Sequence, residues 1–246
     1  MATIKIEFFS QVLIRNDYFY VQTPTRLDIK DARLIYLLHG YCGDATDWLY
    51  LGNIKELADK YNAIFVMPND FNSFYSNMVY GENYYDYFFE VKKAFESFIK
   101  ANNSPANTHI CGLSMGGYGA LRIGLNNIDM FSGIGSFSGV TDVEALFNNF
   151  YNEGVDKRGF ALFGKEAPVK TENDLFYVVD KLIKEKKTIP PIFLYCGSKD
   201  SLYNDNIRFK DFLIKNNIKT SFIEDDGGHT WDRWRMSLEE YLKNIK

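Results

Sequence analysis

ICGLSMGGYGALR, residues 110–122, places a serine between two glycines: Gly112-Leu113-Ser114-Met115-Gly116 fits the pattern G-x-S-x-G. The pattern carries a mechanism only where a strand enters it and a helix leaves it, because the sharp turn then lifts the serine hydroxyl clear of a sheet. Both flanks qualify. NTHICGL before Ser114 is an apolar, strand-like run, and MGGYGALRIGL after it brings Ala120, Leu121 and Ile123 as packing residues of a helix. Gly112 and Gly116 stand where a Cβ would crowd such a turn. Ser114 is then expected at a helix N-terminus, where free N–H groups and the helix dipole favour developing negative charge. A serine among glycines also arises by chance, so the rest of the chain must supply the sheet, a base and an acid.

Working outward, short apolar runs recur at Leu34–Leu38, Ala63–Met67, His109–Leu113, Phe131–Phe137 and Ile192–Cys196. Continuous apolar runs bounded by Gly, Pro or Asn are the signature of strands buried on both faces. Residues 3–9 and 17–22 alternate or are β-prone and predict antiparallel strands at the N-terminus; residues 220–224 predict a last strand. Tyr84, Phe88, Val91, Phe95 and Phe98 fall on one face of a helix, as do Trp231, Trp234, Leu238, Tyr241, Leu242 and Ile245 near the C-terminus. Strands alternating with helices predict a mainly parallel sheet covered on both faces, in a single α/β domain over residues 1–246. Residues 139–190 are long for one crossover. They form either a small cap inserted over the sheet edge or an elaborated loop plus one helix, DLFYVVDKLIKEK.

Composition narrows the function classes. The 246 residues are 46% hydrophobic and 24% charged, with a net charge of −4 and no Lys/Arg-rich block, which argues against nucleic acid or an anionic membrane as partner. The N-terminus has no basic leader with an apolar core, and no apolar run approaches the roughly 20 residues needed to span a bilayer. Three cysteines, Cys42, Cys111 and Cys196, fit neither a disulfide framework nor a zinc site, so a reducing cytoplasm is expected and no metal or cofactor is called for. A homo-oligomer is compatible with all of this.

A serine hydroxyl needs an adjacent base, and the chain has three histidines. His109 lies inside the strand leading to Ser114 and cannot fold back onto it. His39 ends the Leu34–Leu38 run, where support of its own loop is the favoured role. His229, in EDDGGHTWDRW, follows the last strand and is the expected base. Asp200, directly after the Ile192–Cys196 run, is the expected acid ahead of Asp225 and Asp226, which lie too close to His229 along the same exit. The chain order Ser114, Asp200, His229 is that of an α/β-hydrolase. Two N–H groups are expected to bind an oxyanion, those of Met115 and of Tyr41 in His39-Gly40-Tyr41-Cys42-Gly43. In the Asn69–Tyr85 loop, Tyr75 and Asn77 are candidate substrate contacts; Trp231 either lines the pocket or anchors the final helix.

With LLHGYCGDATDW (37–48), FNSFYSNMVYGENYYDYFFE (71–90), ICGLSMGGYGALR (110–122), CGSKDSLYNDNIRFKDFL (196–213) and GGHTWDRWRMSLEEYL (227–242), the chain resembles the esterase D-like branch of the α/β-hydrolases, most nearly the bacterial tributyrin esterase type. The resemblance implies a metal-free serine carboxylesterase acting on short acyl esters, acetyl or butyryl, including acylated sugars. It assigns Ser114, Asp200 and His229 as the catalytic residues, with Tyr41 and Met115 as oxyanion donors. Where that family tends to carry a tryptophan, this chain has Ser73-Phe74-Tyr75. The branch also holds S-formylglutathione hydrolases and mycolyltransferases, so a thioesterase or an acyltransferase is the alternative activity. A noncatalytic carbohydrate-binding or scaffold protein is the alternative of another class, and the intact Ser, Asp and His set counts against it.

Overall fold

Two strands open the chain, β1 (Thr3–Ser10) and β2 (Arg15–Gln22), paired antiparallel from Thr3 opposite Gln22 to Ser10 opposite Arg15. The computed structural model describes residues 1–25, 29–152 and 156–245; residues 153–155, within the expected insertion, lie outside these. Six further strands follow: β3 (Arg33–Leu38), β4 (Ala63–Pro68), β5 (Thr108–Leu113), β6 (Gly133–Phe137), β7 (Ile192–Tyr195) and β8 (Thr220–Ile223). They form one sheet in the order β1-β2-β4-β3-β5-β6-β7-β8. β2 runs antiparallel to both β1 and β4, and every other pair is parallel.

The period-two alternation of strand side chains divides the core into two layers. Leu34, Tyr36 and Leu38 pack into one layer with Ile64, Val66 and Ile110; Ile35 and Leu37 pack into the other with Phe65, Met67 and Cys111. Both layers are covered by crossover helices, which parallel neighbours require. On the first face lie α3 (Tyr84–Phe98) and α4 (Met115–Asn126), joined by α7 (Leu175–Lys184) and α8 (Tyr203–Lys215). On the second lie α1 (Asp47–Leu51), α2 (Ile54–Tyr61) and α9 (Trp231–Asn244). The expected stripe of α3 is buried at Tyr84, Phe88, Val91 and Phe95, but Phe98, in the last helical position, is 63% exposed.

Between β6 and β7 the chain adds α5 (Val143–Asn152) and α6 (Asp156–Phe163) before α7. They pack beside the loop after β3: the Phe150 ring lies 6.2 Å from that of Tyr41, and Arg158 donates to the Tyr41 hydroxyl at 2.7 Å. Because β3, β5, β7 and β8 are parallel, the loops after them gather at one edge of the sheet. In such sheets that carboxyl edge is where ligands bind.

Candidate active site

Ser114 is the single residue between β5 and α4, with φ 51° and ψ −116°. A non-glycine residue held there costs about 1–3 kcal/mol, so the surroundings must enforce it. They do so through backbone contacts. The Ser114 N–H donates to the Phe137 carbonyl at 2.9 Å, and the Tyr118 N–H donates to the Ser114 carbonyl at 3.1 Å. The turn is pressed against the end of β3: a Cβ on Gly112 would lie 2.5 Å from the Gly116 carbonyl oxygen, and one on Gly116 would collide with the carbonyl oxygens of Leu38 and His39.

His229 faces Ser114 from the turn between β8 and α9. Its Nε2 is 2.9 Å from Ser114 Oγ, and its Nδ1 is 2.8 Å from Asp200 Oδ2. The carboxylate fixes the tautomer: Nδ1 carries the proton and Nε2 is left to accept one from the serine. The imidazole is also packed edge-on to the Trp234 ring, with centroids 4.9 Å apart. Asp200 follows β7, and its side chain is fully buried. Burial raises its pKa, but hydrogen bonds from His229 and from the Leu202 N–H outweigh this and hold the carboxyl below its usual range. The rival acids are occupied. Asp225 accepts from Tyr195, Arg233 and the Gly227 N–H, and Asp226 pairs with Lys199.

The loop after β3 is braced from below. His39 is buried; its Nδ1 donates to the Gly40 carbonyl at 2.8 Å and its Nε2 accepts from the Asp70 N–H at 3.0 Å. Burial lowers its pKa, so it stays neutral, as this pair of bonds requires. Its role is therefore to hold the loop. Among the described residues no protein acceptor takes the N–H of Tyr41 or of Met115, which begins α4. Both are left available beside Ser114.

A cleft of about 410 Å³ opens over Ser114, lined also by Gly40, Tyr41, Leu113, His229, Trp231, Trp234 and Asp47. Trp231 lines the cleft and also begins α9, with its ring 5.2 Å from that of Trp48. Tyr75 and Asn77 are not among the residues lining this cleft. Tyr75 is buried, its ring packed against Gly119 of α4 and its hydroxyl donating to the His39 carbonyl at 3.1 Å, so it is a wedge beneath the loop. Asn77 turns its side-chain oxygen to the Asp86 N–H at 3.2 Å. Asp47 was not singled out from the sequence; the acid immediately before Trp48, in the loop carrying the His39-Gly40 pair, was the available signal.

Residues 10–245 match the family model described as "Putative esterase". The chain belongs to this esterase family. An acetyl esterase of Caldicellulosiruptor saccharolyticus is 32% identical over 254 residues, covering 97% of this chain and 96% of that protein. Among solved structures, the substrate-bound fluorophosphonate-binding serine hydrolase FphF of Staphylococcus aureus superposes with a TM-score of 0.91 at 30% identity, covering 99% and 98% of the two chains. The S-formylglutathione hydrolase FrmB of the same organism gives 0.88 at 27% identity over 99% and 98%. The esterase therefore has the α/β-hydrolase fold and is a carboxylic ester hydrolase. Among its described residues no helix is long and apolar enough to cross a membrane.

Proposed function

We propose that this esterase is a serine carboxylesterase that removes short acyl groups, acetyl or butyryl, from alcohols through an acyl-enzyme. The observation that carries the reading is the unbroken hydrogen-bonded chain from Ser114 through His229 to Asp200. Ser114 Oγ bonds to the ester carbonyl carbon as its proton passes to His229 Nε2, and the Met115 and Tyr41 N–H groups receive the oxyanion. The C–O bond to the alcohol then breaks, with His229 returning the proton to the leaving oxygen. Water repeats the sequence on the acyl-serine and restores both groups. No cofactor takes part in this route. The acetyl esterase relative supports the short acyl group, and unpaired Cys111 and Cys196 suit a reducing, cytoplasmic setting.

An acyl-chain series of p-nitrophenyl esters tests it. Activity should peak at C2–C4, and Ser114→Ala should lower kcat/KM by roughly 10⁴-fold or more, the scale expected when one member of a cooperating triad is lost. Unchanged turnover in the variant would falsify the assignment. Asp200, held below the usual carboxylate range, should stay ionised as the pH is lowered toward that range. The structural likeness to FrmB favours thioester hydrolysis as the second reading. S-formylglutathione turned over faster than p-nitrophenyl acetate would select it.

A further inference from the structure

Asp47 opens α1 and lines the same cleft as Ser114, His229 and Trp231. It is half-buried, with its carboxylate against Gly43 of the loop after β3. Among the described residues no side chain donates a hydrogen bond or an ion pair to it, and the Asp44 N–H is the one donor acting on it. Partial burial, reinforced by the nearby charge of Asp44, pushes its carboxyl up. Among the described residues that line the cleft there is no lysine or arginine, and Arg158, which reaches the Tyr41 hydroxyl, makes no hydrogen bond or ion pair to Asp47. An acid in a helix's first turn also interacts with the helix dipole, but α1 has only five residues and a dipole gives no reason to line the cleft.

A carboxylate without a side-chain partner beside an aromatic wall favours a ligand that brings O–H or N–H donors and no negative charge. A short acyl chain brings neither, so the donors must belong to the alcohol. We propose that Asp47 determines specificity for the alcohol part of the ester, accepting a hydrogen bond from a hydroxyl or ammonium group there and turning away anionic alcohols. The proposal rests on the serine-esterase reading above and adds the class of alcohol to it. It predicts polyhydroxylated or cationic acetyl esters as preferred substrates and places glutathione thioesters, which carry carboxylates, among the poor ones.

The test uses three matched acetates: 1-acetylglycerol, its 2,3-dimethoxy derivative, which lacks donors, and 3-O-acetylglycerate, in which a carboxylate replaces one hydroxymethyl group. Active sites are counted by the p-nitrophenol burst, so that ratios of kcat/KM are compared rather than absolute rates. The wild type should prefer 1-acetylglycerol to acetylglycerate by about tenfold or more, the worth of one hydrogen bond to a charged group, with the dimethoxy ester between. Asp47→Asn should compress this span to within about threefold, and Asp47→Lys should invert its charge component. A wild type that turns over acetylglycerate as fast as 1-acetylglycerol overturns the proposal, as does an unchanged ratio in Asp47→Asn. Should these variants not fold, the wild-type ratio decides: added salt must narrow it, since partly exposed charges are screened, and a ratio indifferent to salt counts against Asp47. Ser114→Ala is assayed in parallel on p-nitrophenyl acetate, so that failure of the serine reading shows there and failure of the Asp47 assignment shows in the ratios.

Discussion

Ser114 shows how little freedom the candidate nucleophile is given. Its φ of 51° places the hydroxyl at the tip of the turn, and that angle is enforced by the absence of side chains two residues before and two after it. Gly116→Ala should therefore do more than loosen α4: its Cβ meets backbone rather than a movable side chain, so the turn must shift. A loss of about 1–3 kcal/mol in urea unfolding, with a drop in kcat larger than any change in KM, is the expected result; wild-type kcat in a destabilised protein would contradict it. Ser114, His229 and Asp200 were legible in the sequence because each is pinned by something a sequence displays, a glycine pair or the end of an apolar run. Tyr75 and Asn77 were not. Whether a loop side chain faces inward is set by backbone angles such as the φ of 53° and 51° at Phe74 and Tyr75, which residue types alone do not disclose.

At the scale of elements, β3 to β7 were legible because strands covered on both faces must be apolar throughout, and β1, β2 and β8 because their residues alternate or are β-prone. α3 and α9 were legible for the matching reason, a long stripe at helical period. α1 was not, because five residues are too few to show a stripe; its place is set by Trp48, fully buried and donating from Nε1 to the Leu38 carbonyl at 3.0 Å. Trp48→Ala should cost about 3–5 kcal/mol, and because α1 also carries Asp47 and braces Trp231, activity should fall below what the remaining folded fraction accounts for. A melting-temperature shift under a few degrees would contradict this. Within residues 139–190, Phe150 of α5 and Arg158 of α6 reach Tyr41 beside the cleft.

Across the whole molecule, pH acts at a point far from the cleft in function. His109, within β5, is buried with its ring nitrogens near the Tyr241 and Ser132 hydroxyls. Burial, and then the charge of Arg33, lowers its pKa from 6.5 to about 4. The unfolded chain therefore takes up this proton first as pH falls. Stability is full above pH 6.5 and declines between 6.5 and about 4, by about 3 kcal/mol from this group alone. Urea midpoints at pH 7 and pH 4.5 should differ by less in His109→Gln than in the wild type; equal pH sensitivity would remove His109 as the cause.

The hydrogen bond between Ser114 and His229 spans 115 positions of the chain. A ribosome delivers the strand, the elbow and most of the sheet well before it delivers the imidazole, and the early segments begin to fold as they emerge. Until β8 has been laid beside β7 and the turn after it has closed, the serine has no base and is a weak nucleophile. On the proposed mechanism, a nascent or partly unfolded copy of this esterase is chemically silent toward the esters around it. Reactivity appears only with the completed fold, which makes hydrolysis itself a sensitive reporter of whether a given molecule has finished folding.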